Sequence, residues 1–331
     1  MSDREAYDYV GHAPFAPNCP FSIYCYRVLV PTVVHSLPLD PDIGWRAYQI
    51  VSNAAAGSVI ATVAATLFPA PVMPLLTSVM AQTSYGFTFT AYDPYAADPM
   101  VFLIAALLTL CWVRDRPWPA VALATIGIFA KETVALVAIS IAIAASLARR
   151  PGWARWLLPA IGSVTVLAAF HLISRVWLNW EIASNAAAQA QHGWWIGLWW
   201  QNNPFIDRKI CMLFATFGFA WVFAVLGWRT APAAWRSLAM ATIPPMAILM
   251  IVQTPERALG NAFYVVIPLA ALFAARTPML AGLAIGLNAL VTAKAGSSPA
   301  WLPSARLTLI VAAAAALVLV IKVARPQGLK I

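Results

Sequence analysis

Apolar runs separated by short polar or proline-containing breaks follow one another along nearly the whole chain beyond residue 46, and their lengths carry the first information. Runs at 47 to 69, 72 to 90, 99 to 113, 153 to 177, 209 to 228, 236 to 253, 259 to 275, 278 to 293 and 305 to 323 predict membrane-crossing helices, for which about 20 apolar residues suffice. Pro244 and Pro245 predict a kink in one of them. Residues 117 to 130 and 132 to 148 predict a hairpin. Its arms of roughly 14 to 17 residues reach about 21 to 26 Å, short of the roughly 30 Å hydrocarbon layer. Lys131 and Glu132 stand at its tip, the one charged pair inside a long apolar stretch. Ionisable residues at such depth are functional candidates; the competing reading is a mutually satisfied pair that pins the turn. Residues 1 to 46 are polar, aromatic and proline-rich, and Val28 to Leu37 is too short to span, which predicts an interfacial helix or a re-entrant turn. The fold expected is an all-α polytopic bundle of about 10 to 11 membrane segments with an outer-face cavity, one membrane domain over 1 to 331.

Composition sharpens the class. Apolar residues make up 62% of the chain and charged residues 10%, where soluble domains carry about 25% charged. The net charge of +9 would suggest nucleic acid in a soluble protein. Here much of it lies in short loops, as membrane topology requires, and no nucleic-acid partner is expected. The start of the chain, MSDREAYDYV, lacks both the basic and the apolar regions of a signal peptide.

Arg114 and Arg116 on one flank of the hairpin, and Arg149, Arg150 and Arg155 on the other, place both flanks inside. Alternation then puts Arg229, Arg236, Arg276, Lys322, Arg325 and Lys330 inside as well. Of the 12 carboxylates, Asp3, Glu5, Asp8, Asp40, Asp42, Asp93, Asp98, Glu181, Asp207 and Glu256 fall outside, leaving Asp115 inside and Glu132 at the tip. Acidic residues have little weight in orientation, so the skew points to chemistry on the outer face; the alternative is that longer outer loops hold more of everything. An outer N-terminus needs either a first span acting as a reverse anchor or a further helix upstream of Met1, and the upstream helix is the expectation.

Against that topology, the outward D-x-x-x-Y segment (Asp3 to Tyr7), the YRVLVP stretch (Tyr26 to Pro31), the ADP tripeptide (Ala97 to Pro99), the AKE of the hairpin and PERALGNAFYVVIPLAAL (Pro255 to Leu272) resemble elements of integral-membrane glycosyltransferases of the C type (GT-C). The resemblance covers most of the chain through short, degenerate motifs, and departs from the family in having no spanning helix before the first acidic loop. It implies transfer of a sugar from a polyprenyl-phosphate carrier to a glycan, lipid or protein acceptor at the non-cytoplasmic face of the plasma (inner) membrane.

Such transfer needs a carboxylate to take the acceptor proton and cations to neutralise the departing phosphate. By resemblance and outward placement Asp3 is the expected base, with Glu5 and Asp8 as rivals; a solvated acidic tail is the other reading of all three. Asp98, where an outer loop meets a span, either positions the acceptor, holds a divalent metal (Mg or Mn), or caps its helix. Asp93 in YDPY has a turn reading. Arg257 and Lys131 form the expected phosphate clamp, one planar fork and one point charge, with Arg27 as a third contact. Snorkelling to head groups is the alternative for Arg257 and Arg27. The catalytic candidates are thus Asp3, Glu5 and Asp98. The substrate-binding candidates are Arg27, Lys131, Glu132, Arg257 and Asp8.

The outer connection 178 to 208 carries Trp194, Trp195, Trp199 and Trp200, which predict an interfacial aromatic belt; the minority reading has them stacking on a sugar while Gln189, Gln191 or His192 bond its hydroxyls. The four histidines show no ligand spacing, and His171 reads as an interhelical hydrogen-bonder. Cys19 and Cys25 share the outer segment, which permits a disulfide; Cys111 and Cys211 read as packing residues. No nucleotide-binding signature and no G-x-S-x-G is present. The rival classes are a secondary transporter, which would more often show inverted halves and broken helices near the midplane, and a degenerate, non-catalytic relative of the same enzymes.

Overall fold

The computed structural model describes residues 3–149, 151–180, 194–202 and 206–292. The expected span at 305 to 323, the inner-loop residues Arg150, Lys322, Arg325 and Lys330, and Glu181, Gln189, Gln191 and His192 lie outside the described residues. Among the described residues every regular element is a helix. Three helical segments are long and apolar enough to cross a membrane: Pro41–Leu67, Trp153–Trp177 and Ala233–Val252. The remaining described helices are shorter.

The acidic start of the chain forms a helix, α1 (Asp3–His12), where a loop was expected. Ala6, Tyr7 and Val10 give it a narrow apolar face, and Tyr7 lies edge-on to Tyr24 at 5.1 Å and against Trp45 at 5.4 Å. A short helix, α2 (Leu29–His35), falls inside the stretch predicted to be interfacial or re-entrant. Helix α3 (Pro41–Leu67) starts where Asp40 accepts from the Asp42 N–H at 2.9 Å with proline at its first position. Its buried stripe runs through Trp45, Tyr48, Ser52, Ala56, Ile60 and Val63, at the spacing that turns one helical face inward. That face packs on α4 (Met73–Gln82) and α6 (Asp98–Val113), with α5 (Tyr85–Tyr92) between them in sequence.

The predicted run 72 to 90 is therefore two helices. At the break Ser84 turns its hydroxyl to the Ala81 carbonyl at 2.7 Å, and the Tyr85 N–H donates to the carbonyl of Thr216 from another part of the chain at 3.0 Å. The hairpin arms are α7 (Pro117–Gly127) and α8 (Thr133–Leu147), joined by a turn over 128–132. They pack mainly on other partners: α7 on α9 (Leu157–Trp177), and α8 on the helix Ala233–Val252.

The second half repeats the theme of interrupted helices. After α10 (Trp195–Asn202), the run predicted at 209 to 228 is split into α11 (Ile206–Ala215) and α12 (Phe219–Trp228) at Gly218, whose φ of +52° only glycine adopts readily. Asn288, from α16 (Pro278–Thr292), stitches the gap by accepting from the Phe219 N–H at 2.9 Å and donating to the Phe217 carbonyl at 3.1 Å. Backbone groups freed at a break in an apolar setting need such a partner. Helix α13 (Ala233–Val252) carries Pro244 and Pro245 inside one helical segment. The run expected at 259 to 275 is likewise two pieces, α14 (Pro255–Gly260) and α15 (Phe263–Ala274). Helix α15 is almost wholly buried and packs tightly on α12, where a methyl at Gly227 would collide with the Leu269 carbonyl.

Candidate functional site

The site grows from the first turn of α6. Asp98 is the first residue of that helix but does not cap it, since Ala97 holds the N-cap position. Tyr48 of α3 does that work: its hydroxyl accepts from the Met100 N–H at 3.0 Å and lies 3.4 Å from the Ala97 carbonyl. The Asp98 carboxylate is thereby left to cations. Lys131 Nζ donates to Oδ1 at 2.7 Å and Arg257 Nη2 to Oδ2 at 3.1 Å. Lys131 and Arg257, expected to clamp a phosphate, are here two cations bridged by one carboxylate. With both oxygens so engaged, Asp98 does not suit a metal ion, and no group of three His, Cys, Asp or Glu among the described residues could hold one.

Lys131 and Glu132 do not satisfy each other. At the turn their side chains diverge, and Glu132 accepts from Arg27 at 2.8 and 3.3 Å. The Arg27 segment is fixed against the hairpin tip by the Leu29 N–H, which donates to the Phe129 carbonyl at 2.9 Å. Cys19 and Cys25 form a disulfide that closes the loop before it. Arg27 also lies over the ring of Tyr24, 5.6 Å from its centre. The Tyr24 hydroxyl donates to Asp3 Oδ1 at 2.5 Å, which binds the start of α1 to the same assembly. The Asp3 and Asp98 charges both act on Arg257, whose guanidinium lies 5.1 Å from the centre of the Phe89 ring.

The charges differ sharply in access. The side chains of Lys131, Asp98 and Arg27 are 4%, 12% and 12% exposed, whereas Arg257 and Glu132 are each 35% exposed. Arg257 and Glu132 are therefore the accessible charges of the cluster, and Lys131 is the most deeply buried. Asp93, at the C-terminal end of α5, belongs to the same neighbourhood: burial, and then the Asp3 charge, push its carboxyl up to about 6.

Glu5 and Asp8 go elsewhere. Glu5 is exposed on α1. Asp8 faces Arg4 at 3.9 Å and His35 at 3.6 Å, and Arg4 also pairs with Asp42 at 2.7 Å, which Tyr95 bonds from the other side. Tyr24 and Tyr48 are the site residues that sequence reasoning did not single out, since a tyrosine's polar tip gives no sign in a hydropathy profile; in the sequence Asp93 reads only as a turn residue. Trp200 is exposed and Trp199 buried, and Trp200 carries Lys209 Nζ 3.3 Å from its ring centre. His171 meets Tyr26 ring to ring, centroids 4.0 Å apart.

An apolar groove of about 670 Å³ lies between α12, α13 and α15, lined by Trp221, Val225, Ile243, Met246, Met250 and Leu259 among others, with Arg229 also in its wall. No protein family, curated protein or solved structure matches this chain.

Proposed function

We propose that this chain is an integral-membrane glycosyltransferase of the GT-C kind, moving a sugar from a polyprenyl-phosphate carrier to an acceptor hydroxyl on the non-cytoplasmic face. In this reading the shorter helices join end to end, α4 with α5 and α11 with α12, to complete further crossings of the plasma membrane. The observation that carries the reading is the gathering of charges drawn from positions 3, 27, 98, 131, 132 and 257 around the hairpin tip and the start of α6. Burying so many ionisable groups in a largely apolar chain is costly even when they are paired, which makes them functional candidates. The carrier's hydrocarbon chain lies in the groove and its phosphate rests on Arg257, with Lys131 adding charge from below. Asp98 holds the two cations in place. Asp3, oriented by Tyr24, takes the acceptor proton. Glycan, lipid and protein hydroxyls all fit that role.

The break at Gly218, stitched by Asn288, favours one competing reading, a secondary transporter, because broken helices line such pathways. Full-length protein in proteoliposomes with a radiolabelled polyprenyl-phosphate sugar separates the two. Transfer of label to an acceptor, lost in both Asp3→Asn and Arg257→Ala while the variants remain folded and inserted, is the expected result. Transfer retained in both variants, or label moved across the bilayer unchanged, overturns the assignment.

A further inference from the structure

Residues 253–261 concentrate buried polar atoms that have no hydrogen-bond partner among the described residues. Glu256 is 4% exposed, and its Oε2 has no hydrogen-bond partner among the described residues; the same holds for Asn261 Oδ1 and Gln253 Nε2. Buried polar atoms are nearly always bonded, so each orphan calls for a ligand or ordered water, and three within nine residues mark one place. Burial also pushes the Glu256 carboxyl up, while its own backbone N–H, the Arg257 charge and hydrogen bonding from the Trp199 and Thr254 side chains favour its ionised form, so Oε2 is the oxygen left for a ligand.

Aromatic rings run from this carboxyl to the charged cluster. Helices α5 and α14 approach at Gly86 and Gly260, which brings Tyr85 within the field of both Glu256 and Arg257. Tyr85 stacks on Phe89 with centroids 5.8 Å apart, and Phe89 in turn lies under Arg257. Asn261 stands on the Arg257 side, its Nδ2 donating to the Arg257 carbonyl at 2.9 Å. A carboxyl, two carboxamides and ring faces beside a guanidinium suit a ligand that presents several hydroxyls, an apolar ring face and an attached anion. A hexose phosphodiester has that combination.

We propose that Gln253, Glu256 and Asn261, with the rings of Tyr85 and Trp199, hold the hexose of the donor while its phosphate rests on Arg257. This rests on the glycosyltransferase reading and adds to it the residues that select the sugar. The test is binding to the full chain in nanodiscs, with polyprenyl phosphates carrying glucose, carrying mannose, or bare. The unmodified protein is expected to bind the bare lipid, and to bind one glycosylated lipid at least about tenfold more tightly. Glu256→Gln, close to isosteric and so suited to keeping the fold, and Gln253→Ala, at a less buried position, should each remove about tenfold of that preference, the size of one hydrogen bond to a charged group. Both should leave the affinity for the bare lipid within about twofold, whereas Arg257→Ala should weaken all three lipids. Equal binding of bare and glycosylated lipids, or an unchanged preference in both variants, overturns the sugar site alone. Failure of the unmodified protein to bind any of the lipids overturns it together with the carrier reading.

Discussion

Replacing Asp98 by asparagine tests the centre of the structure. The carboxylate is bonded to Lys131 at 2.7 Å and to Arg257 at 3.1 Å, so the change leaves two cations facing each other across a neutral amide. Breaking a buried pair by removing one partner costs about 3–5 kcal/mol, because the orphaned charge stays desolvated. Asparagine keeps one carbonyl acceptor, and Arg257 is 35% exposed and able to recruit water, which places the expected loss near the lower end, about 3 kcal/mol. Reversible unfolding of the purified protein in mixed micelles measures it. The double variant Asp98→Asn/Lys131→Met removes the most deeply buried cation along with its partner, so its loss should fall short of the sum of the single losses by about 1–3 kcal/mol. A single-variant loss under about 1 kcal/mol, with additivity within about 0.5 kcal/mol, would refute the view that this carboxylate neutralises both cations.

Two further outcomes follow from groups nearby and far away. Because the folded state raises the Asp93 carboxyl from 3.8 to about 6, the fold favours its protonated form. Its contribution to stability is complete below the unfolded value and is lost as pH rises through about 6. A shift of that size corresponds to about 3 kcal/mol before solvent screening at this half-buried position reduces it to roughly 1–2 kcal/mol. The unfolding midpoint should therefore rise as pH falls from 7 to 4, Asp93→Asn should flatten that rise, and an unchanged slope would remove Asp93 as its source. In the second half, Gly227→Ala should cost about 1–3 kcal/mol or more by forcing α12 off the Leu269 carbonyl. Gly282→Ala on α16, where a methyl meets open space, should be neutral or slightly stabilising by comparison. Equal midpoints for the two variants would contradict the close contact of α12 and α15.

The sequence exposed the members of the cluster better than their connections. Lys131 and Glu132 stood out because charge is rare in apolar runs, and Asp98 and Arg257 because each begins a helix. Which carboxylate meets which cation depends on how distant helices pack. Adjacent side chains at a turn point apart, so a neighbouring pair in sequence became two separate ion pairs. The cap, one of the readings open for Asp98, went to Tyr48, a residue that nothing in the sequence pattern marked. Helix α1 escaped because three apolar positions among acidic ones do not register as a helix until Trp45 and Tyr24 supply something to bury against. The interruptions in the runs 72 to 90 and 209 to 228 were also hidden, since hydropathy averages over a break. Asn288, a lone carboxamide in an apolar run, was the one mark of the second.

The order in which the bridge around Asp98 is completed has a consequence for biogenesis. Asp98 and Lys131 lie 33 residues apart, whereas Arg257 lies 159 residues beyond Asp98. During synthesis the first two can neutralise one another as soon as both have been threaded, so the early intermediate hides a balanced dipole from lipid. Arg257 then arrives as the third member and takes the second oxygen of the same carboxylate. Over the six charged groups at positions 3, 27, 98, 131, 132 and 257 it supplies the last cation that balances three carboxylates, so the first half alone carries an uncompensated negative charge until the second half is delivered.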